Sequence, residues 1–320
     1  MKTIHKQNFT YRALGSFLLN YGTLLGFVVV FAVFGIMSPR FATLSNFIMG
    51  TRQMAILFLM ALGATFALVE GGFDLSIGSV VGIAAVLACG LQSSGFGVAT
   101  AISAALGIAV LIGLVNAVNI VLLGITPFIA TISMMFIIQG LELVYSGGRV
   151  ITRGISDSYR FLGQGWIGPL PLLAIIAISV AVIAYILMSR TKFGRYAYAI
   201  GQNRRAVFLS GVSVNTYRML LYVLAGLMGG IAGVLLGARL GSAPVWAGQK
   251  LLLQAYAAAF LGSSFGSEGE FGVMRTLLGA FLIAGLDNGL SMIGYGWYLQ
   301  QIFLGLVLIM AISVTSLRKT

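Results

Sequence analysis

A chain of 320 residues with 59% hydrophobic and only 8% charged side chains, and a mean hydropathy of +1.02, is excluded from the soluble globular class, whose members carry about 25% charged residues. Nineteen Lys and Arg against seven Asp and Glu give a net charge of +12. In a soluble protein that excess would point to nucleic acid; in so apolar a chain it is read as loop charge that orients helices in a bilayer, with lipid as the surroundings and no nucleic-acid partner expected.

With a hydrocarbon core of about 30 Å and about 20 residues per span, this length holds about ten crossings and little else. The expected fold is therefore all-α, a polytopic membrane protein with about ten transmembrane helices, in one transmembrane domain over residues 1–320. Apolar windows fall near residues 16–37, 53–69, 76–92, 97–123, 127–147, 170–189, 216–236, 251–263, 275–293 and 298–316. They are too long and too uniformly apolar for barrel strands, and inside lipid a helix satisfies its own backbone. The basic stretch MKTIHKQNFTYR precedes the first window, whose length exceeds a signal-peptide core of about 7–15 residues, so it is read as an uncleaved span. Pro39 follows the first window, Pro127 opens the fifth, Pro169 and Pro171 open the sixth, and Pro244 lies in a connection, so none interrupts a predicted helix. The 43 glycines, spread through the windows, suit close helix packing. Cys89, the one cysteine, has no partner for an internal disulfide and is read as apolar filler.

Placing the N-terminus in the cytoplasm puts twelve basic residues inside, Arg190, Lys192, Arg195, Arg204 and Arg205 among them. Seven fall outside: Arg40, Arg52, Arg149, Arg153, Arg160, Arg239 and Lys250. That asymmetry favours both termini cytoplasmic. Trp166, Trp246 and Trp297 then occupy outer connections, where tryptophan belts belong. The densest basic stretch, SRTKFGRYAYAIGQNRRAVFLSGVSVNTYR over 189–218, is too polar to span and becomes the longest cytoplasmic loop. Within it RRAVFLSG suits a short surface helix ending at Gly211, able to dock on another protein.

Acids within spans are costly and are candidates for function. Glu70 and Asp74 flank the glycines of EGGFDLSIGS, where the second window breaks before the third. Such a break reads either as unwound backbone beside a solute path or as a tight loop with Asp74 or Ser76 capping the next helix. Glu142 lies near the outer end of the fifth window, within reach of interfacial water, and Asp287 sits deeper beside Asn288. No phosphate-binding loop, Cys/His metal cluster or nucleophile elbow occurs, so neither an enzymatic role nor a metal site is expected and no residue is assigned as catalytic. Composition alone stops at a transporter or channel.

Five segments in order resemble the permease subunits of ribose-type ATP-binding-cassette sugar importers, from about residue 40 to 316. They are EGGFDLSIGSVVG; the stretch GLVNAVNIVLLGITPFIATISMMFIIQGLELVYSGGRVI, matching through Asn116, Pro127, Phe128, Thr131, Gly140, Gly147 and Gly148; FGRYAYAIGQNRRAVFLSGVSV; YVLAGLMGGIAGVLLGARLGSA; and LDNGLSMIG. The resemblance implies a multi-pass subunit of the bacterial inner membrane that moves a monosaccharide or similar polyol-like solute. Its implied partners are a cytoplasmic ATPase, a second permease subunit and a periplasmic sugar-binding protein. It implies no cofactor in this chain, with ATP and Mg in the ATPase. By this likeness the 189–218 loop is the coupling loop, with Asn203, Arg204, Arg205, Ala206, Ser210 and Gly211 as ATPase-coupling residues. Asp74, Ser76, Asn116 and Asn288 are the substrate-path candidates, their donors and acceptors suiting a hydroxyl-rich ligand.

Three positions depart from the family pattern. Arg204 and Arg205 follow Asn203 where the family reads N-E-A-A, the late inner loop GSSFGSEGEFG carries Glu268 and Glu270, and Asp287 stands where Asn is commoner. These departures predict a heteromeric permease whose partner carries the usual docking residues. The alternatives are an ion-coupled secondary carrier, for which Asp287 and Asn288 would supply mid-depth ligands, and a channel or structural subunit.

Overall fold

A computed structural model describes residues 26–265 and 270–317. The N-terminal part of the first window, His5, Glu268, Arg318 and Lys319 lie outside the described residues. The helices in chain order are α1 (Gly26–Met37), α2 (Leu44–Val69), α3 (Ile77–Ser93), α4 (Val98–Ala117, running on through a π turn to Leu122), α5 (Pro127–Ser146) and α6 (Asp157–Gln164). A two-residue antiparallel hairpin, β1 (Trp166–Ile167) and β2 (Leu170–Pro171), follows. The chain continues through α7 (Leu172–Arg190), α8 (Lys192–Leu209), α9 (Val214–Leu240), α10 (Gln249–Ser263), α11 (Val273–Met292) and α12 (Trp297–Leu317).

Nine of the ten apolar windows lie largely on a helix, and of the first the described residues 26–37 do. Among the described residues, six helices are long and apolar enough to cross a bilayer: α2, α4 with its π turn, α5, α7, α9 and α11. Two of the other windows lie on α3, of 17 residues, and α10, of 15. The EGGFDLS break spends residues 70–76 on non-helical backbone before α3 begins. The α10 helix starts at Gln249, two residues before its window, and Gln249 Nε2 donates to Ser79 Oγ at 2.6 Å, setting the first turns of α3 and α10 side by side. Where the sequence suggests only a short surface helix inside the 189–218 loop, residues 192–209 form one bent helix. Nothing in the hydropathy marks α6 or the hairpin.

At the centre is α9, packed against α2, α3 and α4. Its glycines allow this: a Cβ on Gly226 would stand 2.5 Å from the Ala109 carbonyl oxygen of α4, and one on Gly233 would collide with the Val81 carbonyl of α3. Small residues substitute here for the hydrophobic drive that lipid removes, letting backbones meet and gain dispersion contacts. The α10 and α11 pair leans on α2, α7 lies against α2 and α11, and α12 covers α10. Phe31 and Phe34 of α1 fill the spaces left by Gly285 and Gly289 of α11.

The two ends of the bundle differ in construction. At one end Arg52 of α2 lies over the Trp166 ring, 5.1 Å from its centroid, and donates to the Gln164 carbonyl, while Gln164 Nε2 donates to the Arg239 carbonyl at 2.9 Å. At the other end α8 crosses beneath the end of α2 and the start of α9, and there the ionic groups gather.

Candidate functional site

The end of α2 is closed by a Schellman pattern: Gly72 N–H donates to the Ala67 carbonyl at 3.0 Å and Gly71 N–H to that of Leu68 at 3.1 Å. Gly71 takes φ +84°, the left-handed conformation that glycine adopts without strain. That turn makes Glu70 the C-cap and points its side chain inward, with 1% of the residue exposed. A buried carboxylate is tolerated only when paired and hydrogen-bonded. Here Arg218 Nε donates to Oε2 at 2.6 Å, Arg204 Nη2 donates to the same oxygen at 2.9 Å, and Tyr222 Oη donates to Oε1 at 3.0 Å. Arg204 also donates to the Glu70 carbonyl at 3.2 Å, satisfying a helix-end acceptor. Gly72 leaves room for the group, since a Cβ there would collide with Tyr222 Oη.

Arg204 reaches this site because α8 bends. Asn203 has φ −151° and ψ 91°, breaking the helix into an arm that runs up to it and a short segment, Arg204–Leu209, beyond. The Asn203 side chain accepts from Ala206 N–H at 3.0 Å and so caps the second piece. The long arm is seated firmly: Gly201 abuts the Val69 carbonyl so closely that a Cβ would collide with it. The short segment ends at Gly211, φ +81°, after Ser210. It presents Arg205 and Ala206 to the surface, together with Phe208 at 68% and Leu209 at 76% exposure. Beside it Gln202 Nε2 donates to Glu270 Oε1 at 3.2 Å, and Glu270 also engages Arg275. Two of the atypical charged residues, Arg204 and Glu270, are thus bonded within the chain.

Four residues beyond Glu70 lies a second polar cluster, entirely buried. Asp74 Oδ1 accepts from Ser76 N–H at 3.0 Å and from Ser76 Oγ, and Asn116 Nδ2 donates to Ser76 Oγ at 2.8 Å. Asp74 N–H donates to Tyr256 Oη at 2.8 Å, and Leu75 N–H to Thr131 Oγ1 at 3.1 Å. The break between α2 and α3 is therefore stitched to α4, α5 and α10 at once. Ser76 sits at the N-cap of α3 without a side-chain cap bond; Asp74 instead holds the Ser76 N–H.

Of the four substrate-path candidates, Asp74, Ser76 and Asn116 come together and Asn288 does not. Asn288 Nδ2 donates to Asn46 Oδ1 at 3.0 Å on the wall of a separate cavity of about 450 Å³ between α1, α2 and α11, lined largely by Phe31, Phe41, Phe47 and Phe281. Asp287 bonds Gln53 of α2. Glu142, expected near interfacial water, is instead fully buried against Gly82 of α3, because the missing glycine side chain lets α5 close over it. Sequence reasoning missed Arg218 and Tyr222, which share the face of α9 one turn apart and bond a carboxylate 148 and 152 residues upstream.

Residues 46–312 match the family described as Branched-chain amino acid transport system / permease component. The chain belongs to that permease family. Among its relatives, a ribose import permease protein of Bacillus subtilis strain 168 is 36% identical over 293 residues, 91% of each chain. The ribose import permease protein of Escherichia coli K12 is 32% identical over 307 residues, 95% of this chain and 96% of the relative. A D-allose transport system permease protein of the same organism is 30% identical over 303 residues, 93% and 91% of the two chains. No solved structure matches. The resemblance to ribose-type sugar permeases drawn from the five segments holds, and the permease is a multi-pass inner-membrane protein.

Proposed function

We propose that this permease is the transmembrane subunit of an ATP-driven importer for a monosaccharide or similar polyol-like solute, with hydrolysis of ATP and its Mg in a separate cytoplasmic ATPase. It crosses the membrane about ten times, both termini lie in the cytoplasm, and residues 189–218 face the ATPase. A second permease subunit, with a different sequence, and a periplasmic sugar-binding protein complete the assembly.

The observation that carries this reading is the projecting segment Arg204–Leu209. It lies at the end of the bundle richest in ion pairs, capped by Asn203, with Phe208 and Leu209 bare and Arg205 beside them. An apolar pair with a cation beside it is suited to a protein groove with an acidic rim. An ATPase that binds there biases a helix bundle with two arrangements, because its contact with the segment differs between them. Asp74, Ser76 and Asn116 border the solute path when the bundle opens; in the arrangement described they bond one another and leave the buried Asn116 Oδ1 without a partner.

Uptake of labelled pentoses and hexoses by vesicles holding the permease, its ATPase and the binding protein tests the proposal. ATP-dependent uptake that survives dissipation of the ion gradients supports it. An ion-coupled carrier, for which Asp287 within α11 would supply the acid, is the second reading; uptake that persists without ATP and collapses with the gradient would establish it.

A further inference from the structure

The Glu70 cluster does more than close the end of α2. Its carboxylate holds two arginines that follow the bend: Arg218, in the first turns of α9 and almost buried, and Arg204, the first residue of the short exposed segment, with half its side chain in solvent. Arg218 belongs to the fixed bundle and Arg204 to the piece that projects from it. The carboxylate is also joined through the turn Gly71–Gly72 and Phe73 to Asp74, and Asp74 anchors the break to α4 and α10. Phe73 is stacked on Tyr256, ring centroids 5.8 Å apart, so the connector is held along its length. A load on the short segment therefore has a continuous path of hydrogen bonds and packed side chains to the buried polar cluster, and the Arg204–Glu70 contact is its first link.

We infer that the Arg204–Glu70 contact is the linkage through which displacement of the coupling segment reaches the α2–α3 break, with Glu70 as a positioning residue for transport. The inference rests on the proposed reading of that segment as the ATPase contact. It also accounts for a base following Asn203: Arg204 is turned inward to the chain's own carboxylate, leaving Arg205, Phe208 and Leu209 to meet the partner. Arg218 and Tyr222 stay on the Glu70 carboxylate when Arg204 is lost, so the carboxylate remains paired and the variant reads coupling apart from stability.

The test uses the full complex of permease, ATPase and binding protein in vesicles, recording solute moved per ATP hydrolysed alongside the melting temperature of the purified complex. Arg204→Ala lowers the transport-to-hydrolysis ratio roughly tenfold, the scale of a typical coupling free energy, with the melting temperature unchanged. Arg204→Lys, which keeps a cation within reach of Glu70, restores most of the ratio. Arg40→Ala, an exposed cation in the turn between α1 and α2 and outside residues 189–218, leaves the ratio at the wild-type value. Glu70→Gln removes the ion pairs to both Arg204 and Arg218 and lowers the ratio at least as far, and adding Arg204→Ala to it causes no further loss, since the Arg204 pair is already gone. If Glu70→Gln fails to assemble, the Arg204 series decides alone. A wild-type ratio in Arg204→Ala, or equal losses in the Ala and Lys variants, overturns the linkage while leaving the importer reading intact. Absence of ATP-driven uptake by the wild-type complex overturns the reading beneath it.

Discussion

The Glu70 carboxylate and the Arg218 guanidinium meet at 2.6 Å where the last turn of α2 touches the first turns of α9, and neither side chain is more than 10% exposed. Removing one partner strands the other. Glu70→Ala leaves Arg218 buried with no acceptor and destabilises the permease by about 3–5 kcal/mol, whereas Tyr222→Phe removes one hydrogen bond to the charged group and costs about 1.5–3 kcal/mol. Thermal melting of the detergent-solubilised chain reads the order; equal melting temperatures for the two variants would contradict it.

Close helix contact gives a second expectation. Gly226→Ala drives a methyl group against the Ala109 carbonyl and Gly113 of α4, an overpacking worth about 1–3 kcal/mol. Gly107→Ala, on the same α4 helix, meets nothing within 4 Å and is neutral or slightly stabilising, by up to about 1 kcal/mol. Opposite shifts in melting temperature are the expected result.

The buried cluster at the α2–α3 break and the Asn288 site are separate, and their variants behave differently. Asn116→Ala takes the donor from Ser76 Oγ and lowers both the melting temperature and uptake, by about 1–3 kcal/mol in stability. Asn288→Ala removes a partly buried bond to Asn46 at the edge of an open cavity and leaves the melting temperature nearly unchanged. Parallel melting and initial-rate measurements check the contrast.

Reversing Arg204 and Arg205 together to Glu places one acid beside Glu70 and another on the projecting segment. ATP hydrolysis then runs without solute uptake, while the protein still inserts in the membrane. Coupled uptake at the wild-type ratio in reconstituted vesicles would refute the assignment of this segment.

Co-purification through a tag on this chain, followed by intact mass of each component, checks the heteromeric expectation. One ATPase pair, one copy of this permease and one different permease are expected. A homodimer of this chain bound to the ATPase removes the need for a partner.

Hydropathy exposed the long helices because α2, α4, α5, α7, α9 and α11 are apolar for 18 residues or more, and Pro127 marked the first residue of α5. It could not show α8, whose alternation of Tyr, Arg and Gly carries no net apolar signal, nor α6, an amphipathic helix of eight residues. The break at 70–76 was legible in its glycines and acids, and so was the nearness of Asp74 to Ser76. The partners of Glu70 were not, since a contact spanning 134 or 148 residues leaves no mark in local spacing. Asn288 was grouped with Asp74 by its chemistry, and chemistry alone does not report that α11 carries it to another wall.

Gly201 pressed onto the Val69 carbonyl has a mechanical consequence. With a backbone oxygen filling the place of a side chain, the long arm of α8 meets the end of α2 backbone to backbone. Under the proposed docking, a push from the ATPase on Phe208 and Leu209 would bear on the piece of α8 beyond the bend at Asn203 rather than along the long arm.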